Sequence, residues 1–155
     1  MPQIKGIDVN DFNDLDTKTK QRIHNLELDI RKKANSREQK RQELNRLLQE
    51  SRLAESYAAT ELNKTLAATE ERLAASGLYK SGALNTAKQE AQSAASRESR
   101  ERGRQLEEKQ QKINQEMDAL EQDMEKDRSD IQYAVRLAKE NQEKEREKAK
   151  EKNAK

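Results

Sequence analysis

The chain contains no cysteine, no tryptophan, one proline, four glycines and one histidine. Each scarcity excludes a class of protein. Without cysteine there is no disulfide framework and no thiolate metal site, although the compartment stays open. A single histidine, His24 beside Ile23, gives no ligand set for zinc and is expected on the surface. Aromatic residues make up 3% and the hydrophobic set 31%, too little apolar surface for a three-dimensional core. No apolar run approaches the roughly 18 residues of a membrane span. The start, Met1-Pro2-Gln3-Ile4-Lys5-Gly6, has no hydrophobic signal core, so classical secretion is not expected. There is no Gly-x-Ser-x-Gly elbow, no phosphate-binding glycine loop and no Asp/Asn/Gly loop of calcium-binding spacing. The expectation is a chain that is not an enzyme and carries no cofactor and no metal.

What the chain has in abundance is charge. Asp, Glu, Lys and Arg make up 40% of 155 residues, yet acids and bases nearly cancel at a net +2. Such a balance argues against polyanion binding as the main role, because phosphate neutralisation needs a clear cationic excess. An A/E/K/L/R-rich chain with few apolar residues fits long helices that share a narrow seam.

Glycine places the one expected break. Ser76-Gly77-Leu78-Tyr79-Lys80-Ser81-Gly82 holds two of the four glycines and lies almost at the midpoint. Each glycine inside a helix costs roughly 1 kcal/mol relative to alanine, so the chain is cheapest to turn here. The predicted fold class is all-α: a long antiparallel helical hairpin, or coiled coil, with flexible termini. Residues 14–75 form the first arm, 76–82 the turn and 83–144 the second arm. Each arm would be about 90 Å long at 1.5 Å per residue. Asp11, Asp14 and Asp16 favour a helix start. Residues 145–155 have no apolar stripe and read as a charged flexible tail.

The seam of the first arm is Ile23, Leu26, Ile30, Ala34, Leu44, Leu47, Leu48, Ala54, Ala58, Leu62, Leu66 and Leu73, interrupted by Arg37, Lys40 and Arg41. The steps 44, 48, 51, 55, 58, 62, 66, 69, 73 fit an 11-residue repeat, which tracks a nearly straight path. In the second arm Leu106, Ile113, Leu120, Asp127 and Ala134 recur every seven residues, as do Gln110, Met117, Met124, Ile131 and Ala138. Gln110 and Asp127 are polar seam positions that cost stability but fix register. Met117, Leu120, Met124 and Ile131 are expected to be the most buried. A turn centred near Tyr79 puts residue i opposite about 158 minus i, so that Ile23 meets Val135, Leu26 meets Ile131 and Leu73 meets Leu84. Near the turn, Ala54, Ala58, Ala67 and Ala74 on one arm and Ala87, Ala91, Ala94 and Ala95 on the other would allow close approach.

Candidate contact residues lie at the two places where apolar side chains are out of pattern. In residues 1–13, Ile4, Ile7, Val9 and Phe12 recur without helical spacing, as a docking peptide or as an end that folds back. At the turn, Leu78 and Tyr79 either cap the seam or contact a partner. Two basic patches, Arg31 to Arg46 and Arg97 to Arg104, are broken by acids and have no interleaved aromatics for base stacking, so they read as solvated helix faces. Gly103, within the second, is a possible bend.

The element Gly77, Leu78, Ser81 and Gly82 between an Ala/Leu-rich helix and a charged Gln/Glu/Arg helix resembles one in long-helical structural proteins of tailed bacteriophages. Some of their minor tail and virion proteins carry Gly-Leu-x-x-Ser-Gly between two helices. The resemblance implies a noncatalytic virion component at the tail or its adsorption apparatus. The residue pattern alone implies a structural or assembly element that associates with itself or with protein partners, in a virion or in the cytoplasm. The alternatives are an intracellular adaptor or scaffolding protein and a nucleic-acid-associated coiled coil.

Overall fold

The structure, a computed structural model, describes residues 16–77 and 82–154. They form two helices packed against each other, α1 (Thr17–Ala75) and α2 (Ala83–Asn153), an all-α helical hairpin with no strand among the described residues.

Each helix end has a local cause. The Thr19 N–H donates to Asp16 Oδ1 at 2.7 Å and the Lys20 N–H to Asp16 O at 3.0 Å, so Asp16 is the N-cap of α1. Asp11 and Asp14 lie outside the described residues. At the other end the Ser76 and Gly77 N–H groups donate to Arg72 O and Ala74 O, and Ser76 Oγ donates to Leu73 O. Gly77 then turns left-handed at φ 77°, the usual way for a helix to stop. Gly82 is left-handed too, at φ 80°, and its carbonyl accepts the Thr86 N–H that opens α2. A side chain at either position would find open space but a disfavoured backbone, so the need for glycine is conformational. Gly103 sits inside continuous helix. The helix also runs through 145–153, past the expected boundary at 144, with residues 143–154 exposed. The Glu/Lys alternation there places opposite charges three residues apart, as in Glu145 with Lys148 and Glu147 with Lys150, but like charges four apart, as in Glu147 with Glu151 and Lys148 with Lys152, so the two largely cancel.

The chain divides into two units. The terminal unit comprises residues 16–39 and 116–154, with α1 packed on α2 as far as Gln142, the last residue of α2 that is not exposed. Its core is Ile23, Ile131 and Val135, at 1%, 0% and 6% exposure, with Leu26, Ile30 and Ala138 packed around it. Met124, Asp127 and Ala134 are also buried. The α1 positions turned inward are 23, 26, 30, 33 and 37, alternating steps of three and four. Arg37 and Lys33 therefore continue the seam, and Ala34, one position round the helix, is exposed. The aliphatic stems of lysine and arginine cover apolar surface while their charged ends reach out. Met124 and Ile131 are buried as expected, whereas Met117 and Leu120 are only half-buried. By the register, Leu120 lies level with the charged stretch at Arg37 and Glu38, which seals the seam less completely.

In the turn unit, residues 40–77 pack against 82–115. Every position of the series 44, 48, 51, 55, 58, 62, 66, 69, 73 is buried or half-buried. So is the matching series 84, 88, 91, 95, 99, 102, 106, 110, 113 of α2. Only Leu73, Leu84 and Ile113 are buried rather than half-buried, and none as completely as Ile23 or Ile131. Ala58, Ala87, Ala91 and Ala95 line the seam; Ala54, Ala67, Ala74 and Ala94 face outward, because Glu55, not Ala54, holds the inward position.

Candidate interaction surface

Among the described residues, ion pairs cross from α1 to α2 within each unit. In the terminal unit Lys33 Nζ lies 2.8 Å from Asp127 Oδ2, and Arg37 Nε lies 3.8 Å from Glu121 Oε2. In the turn unit Arg102 Nε lies 2.8 Å from Glu55 Oε1, and Lys88 Nζ lies 3.8 Å from Glu70 Oε2. The paired numbers 33 and 127, 37 and 121, 55 and 102, and 70 and 88 add to 160, 158, 157 and 158. That is the register expected from a turn centred near Tyr79.

Lys33–Asp127 is the most enclosed pair. Asp127 is a buried charge at 8% exposure, and the lysine satisfies it. The hydrogen bond to Asp127 raises the Lys33 ammonium above its ordinary value, against the opposing pull of desolvation, with Asp123 and Asp29 adding to the rise. Arg37 is less well served: its Nε is buried without a hydrogen bond, and Glu121 is shared with Arg128. In the turn unit, Glu55 accepts from Arg102 and from the Ser99 hydroxyl at 3.0 Å. Those two bonds, Arg102 first, hold its carboxyl below the usual carboxylate range.

The basic patches are largely consumed by these pairs. Lys33, Arg37 and Lys40 have carboxylate partners in the first patch. In the second, Arg102 serves Glu55, Arg104 is clamped at 2.5 Å by both Glu101 and Glu108, and Arg97 Nε donates to Ser93 O. Arg31, Lys32 and Arg46 remain exposed. His24 is exposed as expected, and no group of three His, Cys, Asp or Glu able to hold a metal occurs among the described residues.

The sequence-derived contact candidates Ile4, Ile7, Phe12, Leu78 and Tyr79 lie outside the described residues. The turn glycines Gly77 and Gly82 are where the sequence placed them. Sequence reasoning missed a second set of candidates, the exposed large apolar side chains. Leu53 and Tyr57, at 71% and 68% exposure, stand one turn apart on α1 in the turn unit. Tyr133 and Leu137 form a similar pair on α2 in the terminal unit. The signal was present: neither pair falls on the seam series, so each had to point outward.

Among the described residues, one surface depression is lined by Lys18, Gln21, Arg22, Asn25, Leu26 and Asp29 of α1, and another by residues of the C-terminal turns of α2. Each is walled by one helix only and is therefore an open groove. No helix among the described residues is long and apolar enough to cross a membrane. No protein-family model, curated protein or solved structure matches the chain.

Proposed function

We propose that this chain is a noncatalytic structural or assembly element, a charged helical spacer that holds protein partners. The observation that carries the reading is the single register kept by the cross-arm ion pairs in both units. A hairpin specified by polar pairs as well as apolar packing presents, within each unit, a set of outward residues. Leu53 with Tyr57 in the turn unit, and Tyr133 with Leu137 in the terminal unit, are then contact points of their own units; Leu78, Tyr79, Ile4, Ile7 and Phe12 remain candidates from the sequence. A tyrosine offers a large apolar body with a polar tip, which suits a protein contact.

The bacteriophage virion role, at the tail, remains part of this proposal and rests on the Gly77, Leu78, Ser81, Gly82 element. It is tested by mass spectrometry of purified particles made by the genome that encodes the chain. Stoichiometric presence in intact particles supports it; absence from particles with abundance in the cell favours a cellular adaptor. The nucleic-acid reading is weakened by the pairing of Lys33, Arg37, Arg102 and Arg104 with carboxylates. Salt-dependent retention on DNA would restore it.

A further inference from the structure

We propose that the seam charges make α1 and α2 an unlike pair, so that an opened chain is completed by a second copy, α1 of one chain lying antiparallel on α2 of the other. Along α1 the seam reads basic at Lys33 and Arg37, then acidic at Glu55 and Glu70. Along α2, in facing order, it reads acidic at Asp127 and Glu121, then basic at Arg102 and Lys88. An opened chain has two full-length ways to pair with a copy of itself. In the parallel way, α1 lies on α1 and α2 on α2: Lys33 meets Lys33, Arg37 meets Arg37, and Asp127 meets Asp127. A buried like-charge contact at Asp127 leaves two carboxylates without their cation, which is strongly destabilising. In the antiparallel way every pair of the hairpin is remade between chains. Pairing α1 with α1 antiparallel also matches some charges, but leaves α2, all 71 residues, without a partner on both chains.

The turn is the point at which such opening would occur. It is held by left-handed backbone at Gly77 and Gly82, with no atom close to where a side chain would project. Replacing both glycines by alanine penalises the left-handed turn and favours continuous helix, without disturbing the seam. Exchange of identical elements between protomers is then the least costly route to a dimer. The inference concerns the seam alone and goes beyond the proposed function, since it holds in a virion or a cell.

The test uses two full-length chains, both carrying Gly77→Ala and Gly82→Ala. One also carries Lys33→Glu and Arg37→Glu; the other carries Glu121→Lys and Asp127→Lys. Each chain alone has mismatched charges in its own hairpin and in any swapped homodimer. In the swapped heterodimer both mutated pairs are matched, native in one interface and reversed in the other. A parallel heterodimer would match them too, so a second mixture separates the two arrangements: a Gly77→Ala, Gly82→Ala chain carrying all four reversals is mixed with one carrying none. Antiparallel pairing keeps these two as homodimers; a heterodimer between them would mean parallel pairing and overturn the proposal. The expected result for an equimolar mixture is a heterodimer by native mass spectrometry, well above the half that random pairing gives, melting at a higher temperature than either chain alone. Should a single chain fail to fold, recovery of helical circular dichroism on mixing is the readout. A chain carrying all four reversals with the native glycines should regain the wild-type melting temperature. A mixture that stays monomeric, or that forms dimers in random proportion with no gain in melting temperature, overturns the proposal.

Discussion

The terminal unit and the turn unit are built from the same two helices but by different means. In the terminal unit the inward positions 117, 120, 124, 127, 131, 134, 138 alternate steps of three and four, and the core is of large branched side chains, Ile23, Ile131 and Val135. In the turn unit the eight steps from Leu44 to Leu73, and the eight from Leu84 to Ile113, average about 3.6 residues, close to the natural period of the helix. Its seam is filled by alanines, serines and charged pairs as often as by leucines. A 3.5 period obliges helices to coil around each other to keep knobs in holes; a period near 3.6 lets them run almost straight and meet through small residues. The terminal unit therefore draws more on buried apolar area, and the turn unit on close approach through short side chains, while hydrogen-bonded charge crosses the seam in both.

The comparison breaks most sharply at Ile131. Ile131→Ala removes a fully buried branched side chain, which typically costs about 2–5 kcal/mol. Leu62→Ala, half-buried in the turn unit, should cost clearly less. Thermal melts followed by circular dichroism check the order, and equal losses would erase the distinction between the units. Leu120→Asp should fall between the two, since Leu120 is only half-buried; Glu121→Asp, next to it, shortens a partner of Arg37 and should have a small effect.

The pH response should separate the units next. Glu55 has a folded pKa lowered by Arg102 and Ser99, so its contribution is present above the ordinary carboxylate value of 4.5 and is lost as pH falls through the lower folded value. Lys33 has a folded pKa raised by Asp127. Its contribution is fully present below the ordinary 10.5 and is lost as pH rises through the higher folded value. Glu55→Gln should flatten the acid limb of the stability profile, and Lys33→Met the alkaline limb. Amide hydrogen exchange across pH would locate the first loss in 40–115 and the second outside it. The same limb changing in both variants would mean that the pairs act through one cooperative unit.

The smallest effect on stability is expected at the outward pairs. Leu53→Ser with Tyr57→Ser should shift the melting temperature little, because surface changes away from packed features usually stay within about 0.5 kcal/mol. A large destabilisation would show that these side chains are part of the fold and not contact points.

Most of the hairpin was legible because its signals are periodic or punctual. Gly77 and Gly82 are punctual: few residues adopt positive φ, so two glycines inside long helical stretches mark a turn. The register followed from the turn's centre, and Ile23 with Val135 and Ile131 met it. The steps from Leu44 to Leu73 were read correctly even where they pass through Ser51, Glu55 and Thr69. The errors came from preferring apolar letters over period. Ala34 and Ala54 were placed in the seam because alanine is apolar, whereas Lys33 and Glu55 hold those places, their charge cancelled by a partner on the other arm. A partner in another helix is invisible to single-helix patterning. From Lys139 onward the expectation was a helix that frays into a flexible tail, because it has no seam to detect, whereas the helix continues to Asn153.

The register also limits how the chain can change in length. Because position i answers a position fixed by the turn, a residue inserted into α1 shifts every pair between that point and the helix end. It would bring Lys33 past Asp127 and rotate Ile23 off Ile131. Length changes in the two arms must therefore be matched, and in steps that restore the inward face: seven residues where the period is 3.5, eleven where it is near 3.6. Descendants of this chain would lengthen or shorten in paired quanta, while their outward residues remain free to drift.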